Sequence, residues 1–213
     1  MKNFISEESS ALGQFLKNYG KEIIVVTFGT LFIVLEAYYP IQNYTLSSFL
    51  YYGLFPILVI LILLRKNPLD FGLRWGSPRI WLPYVGVICL IAGIILYASS
   101  FSTSLQQYYL DPDFNLVSYF LLYCVSLSSQ EFMYRGFILF GLKDKLKEGA
   151  ILVQMLPFVF VHLTKPDLET ISTIITGLIF GWVAYRGKSF WPAFIIHLFI
   201  NVFFVALINY VYG

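Results

Sequence analysis

Charge is what this sequence has least of. Only 12% of its 213 residues are Asp, Glu, Lys or Arg, against about a quarter in a soluble domain. Hydrophobic residues make up 58% and aromatic residues 19%. The deficit excludes a soluble enzyme on a single anchor, because about seven spans of roughly 20 apolar residues fill most of the chain. The net charge of +2 comes from short basic loops with no basic domain, which excludes nucleic acid as a partner. Cysteine is limited to Cys89 and Cys124, both inside apolar runs and without CxxC spacing. They read as reduced packing residues and say nothing about redox compartment. Internal repeats and low-complexity linkers are also lacking. No cleavable leader is expected, since the first 21 residues are polar-rich and no small-residue cleavage site follows the first apolar run.

What the chain does have is apolar runs, at about 22–39, 45–64, 81–100, 115–140, 150–164, 170–186 and 190–211. They predict an all-α fold, a polytopic transmembrane helix bundle of about seven spans. Lys and Arg between the runs alternate. Lys2, Lys17 and Lys21 precede the first, Arg65, Lys66, Arg74 and Arg79 follow the second, Lys143, Lys145 and Lys147 follow the fourth, and Arg186 with Lys188 follow the sixth. The remaining loops hold only Lys165. A cytoplasmic N-terminus and an external C-terminus follow. Trp75, Trp81, Trp182 and Trp191 fall at the cytoplasmic ends, and Tyr38, Tyr39, Tyr44, Tyr108, Tyr109, Tyr210 and Tyr212 at the others, as interfacial belts require. In the leader, Ala11, Leu12, Phe15, Leu16 and Tyr19 recur at helical spacing. They predict either an amphipathic helix on the inner surface or an extension of the first span. Pro56 and Pro157 should kink or open their helices, and Gly177-xxx-Gly181 allows a close helix contact.

Ionisable side chains are costly at membrane depth and face a protein interior or a water-filled cavity. Those inside the runs are Glu36, near the outer end of span 1; Glu131 and Arg135, beside Gln130, in span 4; His162 in span 5; and His197, with Asn201, in span 7. At about 1.5 Å per residue, Glu131, His162, His197 and Asn201 lie roughly 12–18 Å from their cytoplasmic ends. Glu131 and Arg135, Phe158 and His162, and His197 and Asn201 each share a helix face at i, i+4. Both histidines of the chain thus meet a deep Glu in one layer, which points to a functional site built from spans 4, 5 and 7.

Several chemistries lack their residues. A zinc protease motif HExxH is missing, the aspartates lie in loops, and no GxSxG marks a serine nucleophile. The stretch from Gly181 to Ser189 has one residue too many between its glycines for a P-loop. For peptide hydrolysis, what survives is water activated by a carboxylate and a histidine, with a second histidine and an Asn holding an oxyanion.

Gln130-Glu131-Phe132-Met133-Tyr134-Arg135-Gly136, then Phe158-xxx-His162, then His197-xxx-Asn201 resemble the EExxxR, FxxxH and HxxxN motifs of the CPBP family. That family groups type II CAAX prenyl endopeptidases with bacteriocin-processing and Abi proteins. The resemblance covers about residues 114–205. It divides the chain into 1–113, an N-terminal amphipathic helix with three spans, and 114–213, a four-helix catalytic-type core. It implies an intramembrane glutamate protease of the bacterial plasma membrane acting on a membrane-associated peptide or protein. His162 would activate water, while His197 and Asn201 would be oxyanion donors, typically worth 10²–10³ in rate each. Arg135 would pair with Glu131 or anchor a substrate carboxylate, Phe158 would contact substrate, and no metal or other cofactor is expected.

The departure is Gln130, which stands where the family pattern has its first Glu. An amide cannot take a proton from water. Either Glu131 takes the base role, or the protein is a weak or inactive relative acting in binding or immunity, or Gln130 is an introduced change. Helical neighbours point about 100° apart, so Glu131 replaces a side chain at 130 only if the helix is locally distorted. A transporter using His162, His197 and Glu131 as a relay is a further reading, against which stands the lack of inverted repeats.

Overall fold

The computed structural model describes residues 2–213, with side chains from Phe4 onward; the side chain of Lys2, counted above among the leader charges, lies outside them. Among the described residues there are ten α-helices and no strand. The first, α1 (Lys2–Tyr38), is unbroken. The leader is therefore the beginning of the first apolar helix and not a separate surface helix, and Leu12, Phe15 and Leu16 on it are exposed. Asn43 caps α2 (Tyr44–Ser48) by accepting from the Leu46 amide. The chain continues helically through a π segment, α3 (Phe55–Leu58) and a second π segment to Leu63. Pro56 sits between the two π segments, where its missing N–H is accommodated by widened turns.

A loop with a 3₁₀ turn at Pro68–Phe71 leads to α4 (Pro78–Ser99) and α5 (Thr103–Tyr109). The longest interior rod follows. It comprises α6 (Leu116–Glu131), capped by Asn115, a π segment at Phe132–Ile138, and α7 (Leu139–Leu146). Then come α8 (Gly149–Phe160), α9 (Asp167–Gly187) and α10 (Trp191–Val211). Four stretches, Tyr44–Leu63, α4, α9 and α10, are long and apolar enough to cross a membrane, and α8 is a shorter apolar helix. Exposed Leu82, Val87, Leu90, Ile94 and Ile95 cover the outside of α4, an apolar face of the kind that lipid solvates and water does not.

One core runs through both halves of the chain, joining Val25, Phe32 and Tyr52 to Met133, Phe137, Phe158 and Ile196. Small residues set its tightest contacts. A Cβ on Gly181 would overlap the Gln154 amide, and one on Gly177 would come 2.9 Å from Met155. The small-xxx-small pair is thus what lets α9 lie against α8. At one end of the bundle Trp75 stacks between Trp81 and Trp191, and the Ser77 amide donates to the Gly187 carbonyl. Gly76, at φ +65, has no room there for a Cβ. The same end carries the Lys21–Asp144 ion pair.

Candidate functional site

The opposite half of the bundle encloses a cavity of about 210 Å³. Gln130, His162, His197 and Asn201 reach it from α6, the turn after α8, and α10. Glu36 reaches it from α1, Tyr44 from α2, Tyr52 from the π segment that follows, Thr164 and Lys165 from the α8–α9 connection, and Glu169 from the first turn of α9. Its rim therefore lies among the α1–α2 and α8–α9 connections, away from the tryptophan end.

Each of three polar side chains has one atom tied down, which fixes what the other presents. The Phe158 carbonyl, 2.7 Å from His162 Nδ1, can only accept, so the proton sits on Nδ1 and Nε2 of the neutral ring carries a lone pair. Helix α8 ends at Phe160, three residues after Pro157, and the following turn presents this ring. Tyr119 donates to Asn201 Oδ1 at 2.6 Å, which orients the amide so that its Nδ2 hydrogens remain for a ligand. His197 Nδ1 lies 2.7 Å from Glu131 Oε1. A carboxylate there accepts from an Nδ1 proton, which orients the ring and leaves Nε2 as its free nitrogen.

Glu131 itself is not on the cavity wall. It is wholly buried, and the same Oε1 accepts from Arg135 Nη1 at 3.0 Å. The structure thus brings His162, His197, Asn201 and Gln130 to one cavity wall and leaves Glu131 behind it. The physical reason is the helical offset between neighbours. The π segment begins after Glu131, at Phe132, too late to bring residue 131 round to the direction of residue 130. Gln130 instead faces the cavity and donates to the Tyr44 hydroxyl at 2.8 Å.

Arg135 and Phe158 also lie behind the wall. Arg135 is fully buried, with its guanidinium 4.0 Å from the Phe158 ring centroid and 5.1 Å from that of Phe180. Phe158 packs edge-on against both His162 and His197. Of the two roles expected of Arg135, the structure shows the pairing with Glu131; neither Arg135 nor Phe158 is on the wall of this cavity. Their contacts hold Glu131 and both imidazoles in place.

Residue spacing did not reveal Tyr44, Tyr52, Tyr119, Tyr134, Lys165 or Glu169 as neighbours of the site. One signal was available, since Tyr119, Tyr123 and Gln130 recur at i, i+4 and i+11 on one face of α6. Tyr119 and Tyr123 stack at 4.2 Å, and Tyr123 lines the cavity. A second, mainly apolar cleft of about 190 Å³ lies among α4, α5, α9 and α10 and shares Glu169, His197 and Asn201 with the first. The two spaces meet at the oriented His197 and Asn201. Among the described residues no three His, Cys, Asp or Glu side chains converge as a metal site.

Residues 112–203 match the family described as type II CAAX prenyl endopeptidase Rce1-like. The matched segment contains the three motifs and the helices that carry them, and over it the chain is similar to that family. No curated protein and no solved structure matches the chain.

Proposed function

We propose that this chain, whose residues 112–203 belong with the Rce1-like type II CAAX prenyl endopeptidases, is an intramembrane endopeptidase cutting a membrane-associated peptide or protein. The observation that carries the reading is the anchoring of His162, His197 and Asn201 around one cavity, each through one polar atom, leaving the other for a ligand. His162 Nε2 accepts a hydrogen bond from a water and aims its oxygen at the scissile carbonyl carbon. As that bond forms, the carbonyl π pair moves onto oxygen, where His197 Nε2–H and Asn201 Nδ2–H receive it. Collapse of the adduct breaks the C–N bond, and the amine leaves with a proton. Glu131 acts one step removed, by orienting His197 through its Nδ1, and Arg135 pairs with Glu131 in the buried site. The apolar cleft alongside receives the hydrophobic part of the substrate.

In this reading α1, α8 and the 116–146 rod join the four apolar helices as spans, seven in all, with the N-terminus in the cytoplasm of a bacterial cell. The basic loops and tryptophans then lie inside, and the cavity rim faces the outer side, so substrate enters from there. Residues 1–113 lend Glu36, Tyr44 and Tyr52 to the cavity wall and are not an independent unit.

The test is cleavage of internally quenched peptides, one set prenylated at a C-terminal CAAX cysteine and one set apolar and unmodified, by the protein in liposomes. Cleavage lost on His162→Ala and on His197→Ala supports the reading. Gln130 favours one other, a binding or immunity protein of the same fold. Peptides bound with unchanged affinity by wild type and His162→Ala, and cut by neither, would establish it.

A further inference from the structure

A hydrolytic water needs somewhere to put its proton, and at the cavity wall neither Gln130, an amide, nor Glu131, buried behind His197, provides it. Two carboxylates do reach the wall, Glu169 and Glu36. Glu169 is already engaged. Tyr109 donates to its Oε2, and the Lys165 ammonium lies 3.8 Å from its Oε1. Glu36 is held only lightly. Among the described residues its one hydrogen-bond donor is the Tyr52 hydroxyl, at 3.2 Å on Oε2, and no ion pair forms. Tyr52 also packs 6.1 Å from Tyr134, which lines the same cavity and whose hydroxyl is buried without a partner among the described residues. Glu36 thus looks into a space that holds His162, Gln130 and two tyrosine hydroxyls. Each water needs about 10–15 Å³ of such volume, so several fit between these groups.

Resting on the proteolytic reading above, we infer that Glu36, delivered by the outer end of α1, is the general base of the site, standing in for the carboxylate that position 130 lacks. Water gives one proton to a Glu36 carboxylate oxygen while its other hydrogen bonds to His162 Nε2. The water oxygen forms the new bond to the carbonyl carbon, and the π pair goes to the oxyanion held by His197 and Asn201. On collapse the C–N bond breaks, its electron pair leaves with nitrogen, and the Glu36 carboxylic acid returns its proton to that nitrogen. The products are one carboxylic acid and one amine, and Glu36 ends ionised as it began. Gln130 and Tyr44 then serve as fixed hydrogen-bonding groups on the wall. The N-terminal half of the chain consequently supplies chemistry as well as a frame, and removing α1 removes a reacting group.

The experiment compares wild type, Glu36→Gln, Glu36→Asp, Gln130→Glu and Glu36→Gln/Gln130→Glu in liposomes with the quenched peptides, alongside the thermal midpoint of each variant. Glu36→Gln keeps the shape and can still accept from Tyr52, so the expected loss of cleavage, at least 100-fold, should come with an unchanged midpoint. The double variant should recover at least 10-fold over Glu36→Gln, because it restores a carboxylate to the same cavity. Wild-type activity that depends on His162 but survives Glu36→Gln overturns the inference and leaves the protease reading standing. So does an inert wild type with an active Gln130→Glu. If wild type and Gln130→Glu are both inert on every peptide, the protease reading falls and the inference with it.

Discussion

Glu131 Oε1 accepts from two partners at once, His197 Nδ1 at 2.7 Å and Arg135 Nη1 at 3.0 Å. One buried oxygen therefore ties an imidazole on α10 to a guanidinium on the π segment after α6. Breaking this network by removing one charge leaves the other uncompensated in a low-dielectric interior, which costs about 3–5 kcal/mol. Arg135→Ala should accordingly lower stability by about that amount, measured by thermal or denaturant unfolding in detergent. Glu131→Gln/Arg135→Met removes both charges and should be more stable than Arg135→Ala. A double variant less stable than Arg135→Ala would mean that the pair contributes packing rather than charge balance.

Glu131→Gln keeps the side chain's shape and removes the carboxylate that orients His197 through its Nδ1. Peptide cleavage should fall at least about 100-fold with KM little changed, because His197 is no longer held where oxyanion charge develops. If Glu131 were instead the proton acceptor, Glu131→Gln would abolish cleavage while Glu36→Gln left it nearly unchanged. With separate roles, the double variant should be weaker than either single one.

The Tyr119 hydroxyl on Asn201 gives a graded pair. Asn201→Ala removes an oxyanion donor and should cost about 10²–10³ in kcat. Tyr119→Phe leaves the amide in place and removes only the bond that orients it. A loss of about fivefold is expected, since a hydrogen bond of this kind contributes about 1 kcal/mol. Equal losses in the two would show that Tyr119 touches the substrate directly.

The sequence makes legible whatever depends on one helix. Glu131 with Arg135, and His197 with Asn201, are i, i+4 neighbours before any fold is known, and the shared depth of the layer brings Glu131 and His197 together in the folded chain. Periodicity cannot give the rotation of one helix against another. Which of residues 130 and 131 meets the cavity was therefore open, although the 100° offset already implied that both could not. The contribution of Glu36 was hidden for the same reason, since it comes from a helix nearly a hundred residues away whose position depends on Val25 and Gly29 meeting α7 and the π segment. The π segment at Phe132–Ile138 was illegible too, because no proline marks it, whereas Pro56 marked the place of the other two.

Gly181→Ala should be destabilising by about 1–3 kcal/mol, the usual cost of overpacking. Its Cβ would fall on the Gln154 amide, which cannot swing aside freely because Nε2 donates to the Ile151 and Gly177 carbonyls. Helix α8 also carries Phe158 and leads into the His162 turn, so cleavage should fall as well. Adding Gln154→Ala should recover part of the midpoint. No recovery would place the strain elsewhere.

Chelators should leave cleavage unchanged. Nδ1 of each histidine is already committed, to the Phe158 carbonyl and to Glu131, and Arg135 sets a positive charge beside the buried carboxylate, which disfavours a cation there. Treatment with a strong zinc chelator followed by dialysis is the check. Activity lost on treatment and restored by zinc would reverse this prediction.

The ion pair between Lys21 and Asp144 fixes the sign of one pH effect. The Lys21 ammonium donates to Asp144 at 2.8 Å and holds its carboxyl below the ordinary aspartate range. A depressed folded-state pKa adds stability that is fully present above the unfolded value, about 3.9, and is lost as pH falls through the lower folded value. Asp144 is largely exposed, so solvent screens the pair, and pairs of this kind are worth at most about 1 kcal/mol. Thermal midpoints of wild type and Asp144→Asn should therefore differ by a small, constant amount from pH 8 down to about 5. The difference should shrink only in more acidic buffer, and 1 M salt should reduce it at neutral pH. A wild-type advantage that grew on acidification would contradict the assignment, because it would require Asp144 to be stabilised in its protonated form.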